Sequence, residues 1–254
     1  MKKLKIHRPT KKIYSTDNDL GYYLAGLIDG DGHFSTQGQI VVSFNQRDIR
    51  HAFKLRSQIG YGKIRPVKDK AAANWIISNR EGILKVMKLI HNKIRHPDKI
   101  KQFNHRLCNK YKFEFTENSS EINWESPWFS GFFDADGYLR IYNVIKKERL
   151  HPETRLLAQI DQKNDILLKQ FKENFGGYLG YREKQNTYYY STTSYKGMYL
   201  LLKYFDCYSL QCDYHYLRYT VLRKAYLLVQ NSMHLTDIGR QKIRNLDKTL
   251  KDMR

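Results

Sequence analysis

The chain has 254 residues and a formal net charge of +20, from 45 Lys and Arg against 25 Asp and Glu. Apolar residues make up 41% of it, with only 5 Pro and 15 Gly, so it can bury a sizeable core and is not disordered as a whole. The sequence has no run of eighteen apolar residues, a beginning without the apolar stretch of a secretory leader, and three cysteines. It therefore predicts an intracellular protein without a membrane span or a disulfide framework.

Positive charge runs through the whole sequence. Residues up to Asn123 carry a net +13 and those after it carry +7. A basic tail on a neutral domain would have concentrated the excess at one end, whereas charge spread through folded sequence predicts a long polyanion lying across the molecule. Nucleic acid is therefore the leading partner, and a solvated basic surface or an anionic membrane surface is the alternative.

The first half of the chain predicts a buried helix, two pairs of strands and further helices. The helix ends near Asp31, is apolar on all sides, and is expected to be capped by Asp17 or Asp19. Residues 39–45 alternate as a half-buried strand does, with the even-numbered residues on the apolar face. After it we expect a helix from Gln46 to a stop at Gly60, strands over 61–67 and 74–78, and helical residues over 81–112 with a break near Pro97.

The second half repeats this pattern. The segment 126–138 is similar to the segment 22–34, with matching residues such as Gly26 and Gly131 lying 105 apart, and the same order of elements follows: strands over 155–161, 178–183 and 187–193, a helix over 164–175, and helices from 196 onward. An insertion in the first strand pair predicts a longer hairpin loop at residues 146–149. The chain therefore reads as an α+β fold with a pseudo-twofold duplication of αββαββα repeats. We predict repeats at 1–113 and at 124–254, the second with a helical tail, joined by a polar linker at 114–123.

Both repeated helices carry small residues four positions apart, which fall on one helix face. They are Gly26 and Gly30 in the first helix and Gly131 and Ala135 in the second. Small residues at this spacing let two backbones approach closely, so we expect the helices to pack side by side with their C-termini together.

Each helix also ends in two acids, Asp29 and Asp31 in the first and Asp134 and Asp136 in the second. Carboxylates at the negative ends of two helix dipoles repel one another, and a hard divalent cation such as Mg²⁺ would reverse that repulsion. Residues two apart do not share a helix face, so one acid of each pair can point into a shared site. Solvated turn residues are the alternative, but two copies on all-apolar helices favour the metal site.

These motifs resemble a known family. Residues 24–32, Leu-Ala-Gly-Leu-Ile-Asp-Gly-Asp-Gly, are similar to the signature of the LAGLIDADG homing endonucleases, and the second copy is a looser version. The duplicated layout resembles the single-chain, two-repeat members of that family. The resemblance implies antiparallel sheets that form a DNA-binding saddle, with the motif helices at the repeat interface.

The resemblance also implies site residues. The last acid of each motif, Asp31 and Asp136, would bind metal with the carbonyls of Gly30 and Ala135 as further ligands, while Asp29 and Asp134 would be structural. The polar residue that the family places near the attacking water corresponds to Gln46 and Gln162. The family's site lysine corresponds to Lys101, and the second repeat departs from the pattern with Cys212 at the matching position.

DNA recognition would come from the polar faces of the strands, laid in the major groove as two β-ribbons. On the alternation of the strands these faces include Gln39, Ser43, Asn45, Lys63, Arg65 and Asn74 in the first half, and Arg155, Gln159, Asp161, Tyr181, Thr187 and Tyr189 in the second.

The implied activity is that of a site-specific homing endonuclease, a hydrolase acting on phosphodiester bonds. It would make a double-strand break in a long, asymmetric target and leave short 3′ overhangs. Mg²⁺ is the expected ion, with Mn²⁺ or Ca²⁺ as substitutes. Double-stranded DNA is the expected partner, and the active form is expected to be a monomer without an obligate protein partner. Richness in Lys, Ile, Asn, Tyr and Phe is typical of AT-rich genes, which favours an intron-encoded protein of an organelle, a mitochondrion or chloroplast.

Two other functions fit the same scaffold. One is an intron maturase, an RNA-binding splicing cofactor. The other is a DNA-binding regulator built on a decayed endonuclease fold. Neither needs both Asp31 and Asp136, so the presence of both acids favours cleavage.

Overall fold

A computed structural model describes residues 3–144 and 152–253 of the chain. The loop predicted at residues 146–149 lies outside the described residues. The chain folds into two compact units. We call residues 12–136 and 208–213 the N-terminal unit, and the described parts of 1–11, 137–207 and 214–254 the C-terminal unit. None of the described helices is long and apolar enough to cross a membrane.

The N-terminal unit contains six helices and one antiparallel sheet with the strand order β1-β2-β4-β3. The helix predicted over 81–112 is interrupted at Pro97, as expected, because a proline is tolerated at the first turn of a helix and not in its interior. The elements are α1 (Asp17–Asp31), β1 (Gly32–Phe34), β2 (Ile40–Asn45), α2 (Ile49–Ile59), β3 (Lys63–Pro66), β4 (Ala72–Ile77), α3 (Arg80–Ile90), α4 (Pro97–Gln102), a π-helical segment (Phe103–Cys108), α5 (Asn109–Tyr111) and α6 (Trp128–Asp136).

The C-terminal unit repeats the sheet, with the strand order β5-β6-β8-β7. Its helices cover the face that carries Leu139, Ile141 and Ile160, which are almost fully buried. The elements are β5 (Gly137–Val144), β6 (Glu153–Gln162), α7 (Ile166–Phe175), β7 (Tyr178–Arg182), β8 (Thr187–Thr192), α8 (Tyr195–Cys207), α9 (Asp213–Gln230, from residue 214 onward) and α10 (Asp237–Asp252).

The predicted α+β class with two antiparallel four-stranded sheets is confirmed, and Gly60 ends α2 in the left-handed conformation. One local prediction was wrong. The N-cap of α1 is Thr16, whose hydroxyl accepts a hydrogen bond from the Asp19 N–H. Asp17 and Asp19 lie in the first turn, where their negative charges interact favourably with the positive end of the helix dipole. Val41 lies on the polar face of β2, as expected from the alternation, although it is only 6% exposed. The repeat and linker boundaries stay a prediction.

Helices α1 and α6 pack with their backbones in direct contact. A Cβ atom added to Gly26 would lie 1.9 Å from the carbonyl oxygen of Trp128, and one added to Gly131 would lie 2.0 Å from the carbonyl oxygen of Tyr23. Real Cβ atoms do not approach backbone this closely, so no other residue fits at either position. The small-residue faces predicted from sequence therefore form the contact between the two helices.

This packing generates a stability prediction. We expect Gly26→Ala to lower the free energy of unfolding by about 3 kcal/mol, because the added methyl group meets the rigid backbone of α6. Chemical denaturation followed by circular dichroism measures it.

Gly60→Ala is the matched control, since a Cβ at Gly60 would meet no described atom within 4 Å. It should cost only about 1 kcal/mol, from the left-handed backbone at this residue. Equal losses for the two variants would contradict the close packing of α1 on α6.

Candidate active site and nucleic-acid interface

Two acids lie where α1 and α6 end side by side. Asp31 is the last residue of α1 and Asp136 the last residue of α6. A Cβ atom on Gly30 would lie 2.4 Å from the Ala135 Cβ and 2.7 Å from the Asp136 Oδ2, so the Asp136 carboxylate rests against the last turn of α1. Asp31 is exposed and Asp136 is half-buried. The helix packing thus brings two accessible carboxylates and the residues before them, Gly30 and Ala135, to one place in the N-terminal unit.

The other acid of α1, Asp29, is buried and accepts three hydrogen bonds. Its donors are the backbone N–H groups of Arg95 at 2.7 Å and His96 at 3.2 Å, and the indole Nε1 of Trp128 at 2.9 Å. Burial raises the pKa of Asp29 to about 7, opposed chiefly by these hydrogen bonds. Asp29 therefore ties α1 to α6 and to the loop that leads into α4.

The other acid of α6, Asp134, repeats this arrangement. It accepts backbone N–H groups from Gln211 at 2.7 Å and Cys212 at 3.0 Å, and the phenolic O–H of Tyr23 on α1 at 2.8 Å. Tyr23 has one proton to donate, so its second bond, at 2.7 Å to the Nε2 of His51, is donated by the histidine. In both helices the first acid of the motif holds the structure together and the second acid is left accessible.

The lysine beside the two accessible acids is Lys99, which the sequence pattern did not indicate. Its ammonium group donates a hydrogen bond to the carbonyl oxygen of Gly32, directly after Asp31. Burial lowers the pKa of Lys99, while the charges of Asp29, Asp136 and Asp31 oppose the shift. Lys99 is thus a half-buried cation next to the paired acids.

Lys101, the lysine expected at the site, has an exposed side chain two residues further along α4. Residues two apart do not share a helix face, so when Lys99 points to the acids Lys101 points elsewhere. Sequence spacing could not distinguish the two lysines, because the contact that orients α4 joins residues far apart in the chain. His96 caps α4 and its N–H bonds to Asp29, which fixes the turn of α4 that faces the acids.

The two glutamines lie at the ends of corresponding strands. Gln46 follows the last residue of β2 and is exposed, at the sheet end where β1 begins after Asp31. Gln162 is the last residue of β6, two residues beyond Ile160, which pairs with Gly137 at the start of β5. Each glutamine therefore lies at the end of its sheet where the strand that follows a motif helix begins.

The outer face of the N-terminal sheet carries the polar residues expected there. Strand register places Ser43 opposite Asn74, and Asn74 opposite Arg65, so these three side chains share a face. The Ser43 hydroxyl donates to the Asn74 Oδ1 at 2.9 Å. Asn45 and Lys63 belong to the same face, Gln39 precedes β2 in the same phase, and the face also carries His33, Val41 and Ile76.

The outer face of the C-terminal sheet agrees with the alternation except at one residue. Asp161 pairs with Tyr189, and Tyr189 pairs with Gly180, which puts Tyr181 on the opposite face. The prediction for Tyr181 is corrected accordingly: the strand neighbour on the outer face is Arg182. The other predicted residues, Arg155, Gln159, Thr187 and Tyr189, share the outer face, and Tyr138, Arg140, Tyr142 and Arg182 are additional members.

Comparisons with known proteins agree with these features. A family model described as LAGLIDADG endonuclease matches residues 129–226. An uncharacterised cox1 intron-2 protein of 37.2 kDa from Schizosaccharomyces pombe is 41% identical over 249 residues, which cover 96% of this chain and 76% of the relative. The intron-encoded RNA maturase bI4 of Saccharomyces cerevisiae is 27% identical over 71% of this chain, which spans 28% of that protein.

Among solved structures, the I-SmaMI LAGLIDADG homing endonuclease bound to cleaved DNA matches 97% of this chain and 99% of its own, with a TM-score of 0.69 and 19% identity. I-SmaMI has also been solved on an uncleaved DNA target in the presence of calcium ions, with the same TM-score of 0.69. The chain belongs to the LAGLIDADG endonuclease family.

The division between buried and accessible acids generates a prediction. Asp29→Asn should lower the free energy of unfolding by about 3 kcal/mol. The amide NH₂ group would face buried N–H groups whose hydrogen bonds the wild-type carboxylate accepts. Asp31→Asn is the control two residues away, and it should change stability by no more than about 0.5 kcal/mol. Denaturant titration compares the two, and a larger loss for Asp31→Asn would contradict the assignment.

Proposed function

We propose that this protein is a site-specific homing endonuclease. It hydrolyses one phosphodiester bond in each strand of a long, asymmetric DNA target with the help of divalent metal ions and leaves short 3′ overhangs. The observation that carries the proposal is the pair of accessible carboxylates, Asp31 and Asp136, held together at the ends of two interlocked helices beside a half-buried lysine.

The donor set at this place fits a hard divalent cation. Asp31 and Asp136 supply carboxylate oxygens, and the carbonyl groups of Gly30 and Ala135 belong to the same helix ends. Mg²⁺ prefers such oxygen ligands and keeps positions for water and substrate phosphate, with Mn²⁺ and Ca²⁺ as chemically similar substitutes. A bound cation would supply Lewis acidity, polarising the scissile phosphate and lowering the pKa of a bound water. The structure of I-SmaMI on DNA in the presence of calcium ions supports the use of a divalent cation.

The protein's own residues have positional and electrostatic roles. Asp29 and Asp134 lock the helix ends through three hydrogen bonds each, so that the accessible acids cannot drift apart. Lys99 places a positive charge where the scissile phosphate gains negative charge in the transition state. Gln46 and Gln162, at the ends of β2 and β6, are proposed to orient the attacking water by hydrogen bonding.

The two sheets are proposed to supply recognition. Their outer faces carry Lys63, Arg65, Arg140 and Arg155 among amides, hydroxyls and aromatic rings, a mixture suited to both phosphate and base-edge contacts. The net charge of +20 supports a polyanionic partner, as does the likeness to I-SmaMI bound to DNA. We propose that the protein acts as a monomer on double-stranded DNA in the organelle whose intron encodes it.

An RNA maturase activity is the second candidate, because one relative is named an intron-encoded RNA maturase. This activity would need the basic surface and not the paired acids. Splicing of intron RNA that survives substitution of both acids would show a separate maturase function on the same scaffold.

The first functional prediction concerns the acids. With Mg²⁺, the wild-type protein should cut members of a randomised duplex library on both strands, and sequencing of the ends identifies the target. Asp31→Asn and Asp136→Asn should each slow cleavage by about 100-fold or more, since even outer-shell changes at metal sites cost about 10- to 100-fold. Binding to the selected duplex should survive. Cleavage at the wild-type rate by either variant would defeat the proposal.

The second functional prediction separates the two lysines. Lys99→Ala should slow single-turnover cleavage by about tenfold or more, because the half-buried charge beside the acids is lost. Lys101→Ala removes the same charge from the exposed side of α4 and should have a much smaller effect. The reverse order of effects would return the role to Lys101.

A further inference from the structure

The outer face of the C-terminal sheet carries a preassembled arginine cluster. The Arg182 Nη1 donates to the Asp161 Oδ2 at 2.7 Å, and the second oxygen of Asp161 accepts from the Gln159 Nε2 at 3.0 Å. Both oxygens of the Asp161 carboxylate are therefore engaged, and one edge of the guanidinium is fixed. We call Arg182, Asp161, Gln159 and Tyr189 the arginine cluster.

The Tyr189 ring stacks against the guanidinium of Arg182. The Arg182 Cζ lies 4.2 Å from the centre of the Tyr189 ring, the distance of a stacked cation–π contact. The ring itself lies over Gly180, where a Cβ atom would come within 2.5 Å of the Tyr189 Cζ. Gly180 thus leaves the space in which Tyr189 lies flat, and Tyr178 packs beside it with ring centroids 5.9 Å apart.

The cluster differs from a simple phosphate contact. Phosphate binding is strongest from an uncompensated cation, whereas Asp161 already neutralises Arg182 within the cluster. A guanidinium has five N–H donors in a planar fork, and Asp161 engages one of its nitrogens. Since the plane and one edge are already held, little side-chain entropy remains to be lost when the other donors bind.

We propose that Arg182 reads a guanine in the major groove of the target DNA, donating to its O6 and N7 from a position set by Asp161 and Tyr189. Arginine is the side chain that matches these two acceptors in a bidentate way. The proposal rests on the proposed function in one respect: it takes the outer face of this sheet as the surface that meets duplex DNA. Asp161 and Tyr189 are positioning residues, and Arg182 is the residue that determines specificity.

The test is a binding selection in Ca²⁺ from a randomised duplex library, followed by sequencing, so that it does not depend on cleavage. The wild-type protein should select guanine at one position that loses its preference, by about tenfold, in Arg182→Ala. Asp161→Asn should weaken the preference at that same position, because a neutral amide oxygen holds the guanidinium less firmly than a carboxylate while the arginine keeps its charge. All other positions should keep their wild-type base preferences in both variants.

Arg244→Gln provides the control, since it removes an arginine charge from the exposed side of α10 in the same unit. It should leave the selected sequence unchanged. A guanine preference that persists in Arg182→Ala, or one that falls equally at all positions in the Arg182 and Arg244 variants, would overturn the proposal. A guanine that depends on Arg182 in a protein that binds DNA without cutting it would support this inference and refute the proposed nuclease activity.

Discussion

The backbone contact between α1 and α6 is the constraint on which the candidate site depends. Gly26 meets the Trp128 carbonyl and Gly131 meets the Tyr23 carbonyl, so each helix fills the space that a side chain of the other would need. The glycines weaken both helices on their own, since glycine has a poor helix propensity. That loss is offset by burial of nearly the whole of both segments, including Leu24, Ile28 and Phe132. The consequence is geometric: the last turns of the helices lie together, and with them Gly30, Ala135 and Asp136.

Two acids of one motif perform opposite tasks because they lie on opposite sides of one helix. Asp29 and Asp134 each receive two successive backbone N–H groups and one aromatic side chain from the opposing helix. The halves differ in the side chains that accompany these N–H groups. The N–H groups that bind Asp29 belong to Arg95 and His96, and α4 with Lys99 follows them. The N–H groups that bind Asp134 end with that of Cys212, whose thiol donates to the Asp48 carboxylate at 2.8 Å. The site is therefore symmetric in its acids and asymmetric in its cation.

The sequence predicted the features that depend on covalent spacing. The small residues four apart and the acids two apart fix faces on a helix of known period, and the structure places them as expected. The lysine could not be predicted from spacing, because Lys99 and Lys101 fit the same pattern and only the bonds from Arg95 and His96 to Asp29 decide which turn of α4 faces inward. The predicted face of Tyr181 was wrong for a related reason. A slip of one residue in strand register exchanges the two faces, and the pairing of Gly180 with Tyr189 sets that register.

We propose that Asp31 and Asp136 form one cation site. The most direct measurement is Mn²⁺ binding, followed by electron paramagnetic resonance, to the protein in complex with a duplex obtained by binding selection. We expect either Asp31→Asn or Asp136→Asn alone to weaken the binding of all the Mn²⁺ held by the wild-type protein. If each substitution removed a separate fraction of the Mn²⁺ and left the remainder bound at wild-type affinity, the two acids would belong to independent sites and would not share a cation site.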